Sequence, residues 1–127
     1  MKEMIEKGIK EFEGVRVINT TPHPVNLKSE KTGEEYLLEN SGVLINASTA
    51  ETVVGRCGEV EFVKVEFKGN PEGEAALGTI PDGVIVVGSI IAAQAYPGRV
   101  VAMTPAKGFE RVPPAEKRMN LFKYTIF

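Results

Sequence analysis

Cysteine and histidine are almost absent: the 127-residue chain holds one of each, Cys57 and His23. A single cysteine excludes an internal disulfide and suits a reducing compartment. One histidine and one cysteine without spaced partners match no common ligand pattern, so neither a metal nor a cofactor is expected. Long apolar runs are missing too. No segment approaches the roughly 18 to 20 residues a membrane-spanning helix needs, and the N-terminus lacks an apolar signal region. The expectation is a cytoplasmic protein without a membrane partner.

Strong charge is also lacking. The net charge is −2, and 43% hydrophobic with 25% charged residues fit one ordinary domain over residues 1–127. The balance is uneven along the chain. Residues 1–98 carry nine Lys/Arg against fifteen acids, and residues 99–127 carry six Lys/Arg against two acids. An anion would therefore be met in the C-terminal third, although too few cations cluster there for a duplex nucleic acid.

What is present is a change of period along the chain. Across KEMIEKGIKEFE and the methionine before it, Met1, Ile5, Ile9 and Phe12 share a helical face, with Glu3/Lys7 and Glu6/Lys10 as i,i+4 pairs, and Gly14 closes the helix. From Val15 the period is two. VRVIN and VNLKS read as strands around the bend TTPHP; a glycine turn leads to Tyr36-Leu37-Leu38, and VLINAS reads as another short strand, giving an antiparallel meander. In EVEFVKVEF the phase slips between Phe62 and Val63, which a bulge there would reconcile. Residues 69–83 read as a polar, mobile loop with one helical turn over Glu74–Leu77.

The stretch Gly83–Pro105 organises the rest. Val84–Val87 is apolar, Ser89 is a good N-cap, Ile90–Tyr96 carries only the amide of Gln94, and Pro97-Gly98 ends the helix before a second strand from Val100. The spacing allows a parallel pair. The basic tail then offers a helical turn over Pro114–Arg118 and the apolar end LFKYTIF, which either adds to its own sheet or crosses to a partner. The expected class is α+β: an antiparallel sheet core with an N-terminal helix and a buried strand-helix-strand unit in the C-terminal half.

No catalytic constellation is evident. His23, held between Pro22 and Pro24, has no nucleophile beside it; its ring either bonds the bend or touches ligand. Cys57 in GRCGE reads as a small turn residue. The Gly88-Ser89 turn is either an ordinary cap or an anion site made of N–H groups and a hydroxyl. Arg99, Arg111, Lys117 and Arg118 are candidate phosphate ligands or solvated charges, and Tyr96 and Phe109 are stacking platforms or core.

The run VINTTPHPVNL, the Ser41-Gly42 turn, and an apolar strand entering a Ser-initiated helix followed by Arg99 and Pro105 resemble small phage-encoded proteins with an N-x-T-P-H signature. Within these, length and layout are similar to the Thoeris anti-defence sponges. The resemblance runs from Val15 to Phe127. It implies a non-enzymatic protein of the host-cell cytoplasm, assembled from dimers, that sequesters cyclic ADP-ribose isomers made by TIR-domain proteins at a site near a subunit interface. Asn19, Thr21, Pro22, His23, Ser89 and Arg99 carry over from the pattern; Gln94, Tyr96, Phe109, Arg111 and Arg118 complete the expected ligand set. The chain departs from the family at Val43–Asn46, where an arginine is usual, and at Val100-Val101, where acids are usual. Two other classes remain open: a nucleotide-modifying or hydrolytic enzyme using His23 with Ser89 or Cys57, and a phage structural protein with LFKYTIF as its assembly arm.

Overall fold

A computed structural model describes residues 2–127. Helix α1 spans Lys2–Gly8 and is followed by β1 (Lys10–Phe12), β2 (Val15–Asn19), β3 (Val25–Lys28) and β4 (Glu35–Leu38). Next come β5 (Ser48–Cys57), β6 (Val60–Lys68), α2 (Pro71–Gly78), β7 (Ile85–Val87), α3 (Ile90–Ala95) and β8 (Ala102–Pro105). A 3-10 turn over Pro114–Glu116 and β9 (Met119–Thr125) complete the chain. The class is α+β, with mostly antiparallel sheets and an N-terminal helix, as the periodicities predict. Among the described residues no helix is long and apolar enough to cross a membrane.

Three sheets form, in the orders β1-β2-β7, β4-β3-β9-β8 and β5-β6. The first is a middle layer because β2 and β7 are apolar on both faces. Ile18 and Val86 pack with α1, α2 and α3 through Ile5, Ala76, Leu77, Ala92, Ala93 and Tyr96. Their neighbours Val17 and Ile85 point the other way, onto Leu27, Leu38 and Leu121 of the second sheet. Each fully buried aliphatic side chain contributes about 1.5–3 kcal/mol.

The strand-helix-strand segments form at the expected positions, but β7 and β8 enter different sheets, joined by a single bridge, and α3 leaves Ile90 and Ile91 exposed rather than buried. β2 and β7 are parallel, and Val101, just before β8, forms a parallel bridge to Val87. Ser89 caps α3 by accepting the Ala92 N–H at 3.0 Å. A Cβ on Gly88 would stand 2.5 Å from Val100 Cγ1, so the return segment comes that close only to glycine.

Several expectations are corrected. The N-terminal helix stops at Gly8 rather than running to Glu13, because a Cβ at Gly8 would sit 2.5 Å from the Ser41 Cβ and the chain turns there. Residues 10–12 become a strand, and Glu13-Gly14, both at positive φ, make its hairpin turn with β2. Glu6 and Lys10 are therefore not helical neighbours. The expected role of Met1 lies outside the described residues. VLINAS is not a strand: Val43 and Ile45 are buried in the core, but residues 43–47 form no ladder. The loop over 69–83 contains a two-turn helix, α2, capped by Asn70, started by Pro71 and favoured by Glu72 and Glu74 in its first turn.

The expected antiparallel meander does not form: β2 and β3 enter different sheets, of its strands only β3 and β4 pair in chain order, and a long hairpin follows. β5, which the alternation did not mark as a strand, pairs along its length with β6, and Cys57 is its last residue rather than a turn residue. The bulge falls in β5 between Val53 and Gly55, opposite Val63 and Phe62, so β6 itself alternates regularly. The LFKYT part of LFKYTIF lies within β9, between β3 and β8 of its own sheet, with Leu121 fully buried. Of the two alternatives, the tail adds a strand to its own sheet, and Ile126 and Phe127 beyond it are exposed.

Candidate functional site

The bend after β2 is held by Asn19. Its side chain is fully buried; Nδ2 donates to the carbonyls of His23 (2.7 Å) and Leu38 (3.3 Å), and Oδ1 accepts from the Thr21 N–H (2.9 Å) and hydroxyl (2.6 Å). The N-x-T-P-H segment thus closes as an Asx turn that clamps its own backbone. No lone pair or proton of the Asn19 amide faces solvent for a ligand. The His23 ring is exposed, and its backbone carbonyl does the bonding.

Around α3 the expected ligand residues separate. Ser89 and Gln94 are exposed, and the Ser89 oxygen already accepts from Ala92 in a helix of only six residues. Tyr96 is 2% exposed. Its hydroxyl accepts from the Asn70 N–H at 2.8 Å and reaches the Asn46 carbonyl at 3.4 Å, with the ring against Gly69 and Gly73. It is a core tyrosine, not a stacking platform, because its phenol joins three segments of chain. Arg99 pairs with Glu74 of α2 at 2.5 Å.

The basic tail is interleaved with acids of the N-terminal half rather than gathered on one face. Arg118 pairs with Glu35 at 2.5 Å, and the Lys107 N–H donates to Glu30 at 2.9 Å. The backbone N–H groups of Glu110 and Gly108 hold the Glu110 carboxyl below the usual carboxylate range. Loop 107–110 therefore already binds carboxylates of its own chain. Phe109 is half-buried, with Lys28 Nζ 5.0 Å from its ring centroid. Arg111 is exposed, and among the described residues it and Lys117 form no ion pair.

One opening that combines apolar walls with a cation was not marked by the motifs. Where β3 and β9 begin, beside β8, a cleft of about 220 Å³ is walled by Pro24, Val25, Met103, Pro114 and Met119, with Asn26 and Lys117 as its polar members. Its elements explain it. Parallel β3 and β9 start together at Leu27 and Met119, the clamped TTPHP bend delivers Pro24, and the 3-10 turn delivers Pro114 and Lys117. The sequence signal was the adjacency of Pro24 to His23 and of Lys117 to Arg118, one residue from each expected ligand. Two methionines and two prolines make an adaptable apolar slot for a planar ring, and one ammonium meets an anion. Three or more His, Cys, Asp or Glu gathered for a metal ion are not found among the described residues. The chain matches no protein-family model, no curated protein and no solved structure.

Proposed function

We propose that this chain captures a cyclic nucleotide, most closely of the cyclic ADP-ribose class made by TIR-domain proteins, and holds it without cleaving it, as a phage anti-defence sponge. The observation that carries the proposal is the cleft with Met103 and Met119 as walls and Lys117 as its cation. Capture needs an apolar slot for the base and a positive charge for the phosphates; it needs neither base nor nucleophile. The resemblance in Asn19-Thr20-Thr21-Pro22-His23 supports the same reading. At about 220 Å³ the cleft is smaller than the roughly 300–1,000 Å³ of most small-molecule sites. It admits the adenine, and the riboses and pyrophosphate extend beyond it, toward His23 and a second subunit. A homo-oligomer built from dimers completes such a site.

A thermal-shift series with cyclic ADP-ribose isomers tests this. Bound ligand at a hundredfold excess over Kd stabilises the fold by about 2.7 kcal/mol. The shift is expected for the wild type and strongly reduced in Lys117→Ala; equal shifts in both proteins would remove the cleft from the proposal. A second reading, an assembly protein without a small ligand, is favoured by the exposed β5–β6 hairpin. It is the reading left standing if no cyclic nucleotide shifts the wild type.

A further inference from the structure

The β5–β6 hairpin projects as an arm whose apolar side chains are uncovered. Among the described residues, β5 and β6 pair only with each other, and every residue of both strands except Gly55 and Phe67 is exposed. Directly opposed residues share a face, so Val53, Val63 and Val65 stand together with Phe67, at 44, 43 and 42% exposure for the three valines. Val60 and Phe62 occupy the opposite face near the tip, 58 and 53% exposed. A two-stranded ribbon is marginal in water; three or more strands with an apolar face are needed for stability. β6 is also nine residues long, without proline or bulge; it touches α3, and the edge not facing β5 is unpaired among the described residues. β5 is blunted by its bulge.

We propose that β6 pairs edge to edge, antiparallel, with β6 of a second copy of this chain, about a twofold axis through Val65. Self-complementarity selects both occupant and register. With Val65 opposite the partner subunit's Val65, Lys64 faces the partner subunit's Glu66, and Glu66 faces the partner subunit's Lys64. Val63 meets the partner subunit's Phe67 on the other face. The apolar row Val53-Val63 is thereby extended across the joint into a four-stranded sheet. Within one chain Glu66 reaches only Lys68, at 3.8 Å on an exposed surface, and Lys64 has no carboxylate partner among the described residues. Shifting the axis one residue either way loses the match, since centring on Lys64 opposes two ammonium groups and centring on Glu66 opposes two carboxylates. This pairing is independent of the ligand proposal.

The test uses the full chain. Replacing the only cysteine by serine and adding Val65→Cys places the new thiols at the axis. Opposed Cα atoms of antiparallel strands lie about 4.5–5.5 Å apart, inside the range a disulfide spans. Mild oxidation is expected to convert the Cys57→Ser/Val65→Cys protein to covalent dimer and to leave Cys57→Ser/Glu59→Cys, at the arm tip, monomeric. In sedimentation velocity, Lys64→Glu or Glu66→Lys alone is expected to weaken dimerisation roughly tenfold, because each turns two attractive cross-strand pairs repulsive. The double reversal should restore it. Both side chains are exposed, so the fold is unaffected, which circular dichroism verifies. A wild type that stays monomeric at high concentration overturns the proposal, as do equal cross-linking at positions 59 and 65 and a double variant no better than the single ones.

Discussion

Tyr96 shows how a residue can be legible by type and misplaced by role. In sequence it is an aromatic at the end of an apolar helix, equally suited to a base or to the core; burial to 2% and its bond to the Asn70 N–H decide for the core. Tyr96→Phe is expected to cost about 1–3 kcal/mol in urea unfolding, because it leaves the Asn70 N–H without its acceptor. Asn19 teaches the same lesson. N-T-T-P contains the makings of an Asx turn, but only the fold reveals that Leu38, nineteen residues on, supplies the second acceptor. Glu13 had no visible role in sequence at all. Burial opposes its charge, yet hydrogen bonds from Ser29, Tyr36 and Thr32 outweigh that and hold its carboxyl below the ordinary 4.5. A depressed carboxylate stabilises the fold above its unfolded-state value and loses that contribution as pH falls through its folded one. Stability should therefore fall more steeply below about pH 4.5 in the wild type than in Glu13→Gln, as urea midpoints at successive pH values will show.

At the scale of elements, strong periodicity was read well and weak periodicity was not. β2, β3, β6 and β7 alternate or run apolar, and each lies where its pattern puts it. β5 contains STAETVVGRC, whose side chains pack against no core, so burial left no alternation to read. Residues 43–47 show the converse: Val43 and Ile45 alternate like a strand because the core takes both, although the backbone makes no ladder. The end of α1 was hidden because the contact that stops it, Gly8 against Ser41, joins distant parts of the chain. β9 was recognised, but its place was not. It sits between β3 and β8 and buries Leu121, so removing residues 121–127 should abolish cooperative unfolding altogether, not merely an oligomer. A truncated chain that keeps its near-ultraviolet spectrum and a sharp transition would show that the sheet tolerates the loss.

At the scale of the whole molecule, the contrast between an acidic N-terminal part and a basic tail does not survive as two surfaces. Arg99 and Arg118 pair with Glu74 and Glu35, so folding mixes what the chain order separates. Lys117, which forms no ion pair among the described residues, stands at the rim of the cleft beside its apolar walls. None of the residues that the sequence suggested as the ligand set lines the cleft; Lys117 alone of its members reads in sequence as a candidate phosphate ligand, and its walls, Met103 and Met119, come together only through the β8-β9-β3 order. The most direct measurement is calorimetric titration of cyclic ADP-ribose isomers into the full chain, followed by heat denaturation and mass analysis of what is released. Saturable binding by an isomer, weakened roughly tenfold by Lys117→Ala and followed by recovery of the unaltered molecule, is the expected result. No binding by any isomer, or release of a product heavier by one water, would contradict capture without chemistry.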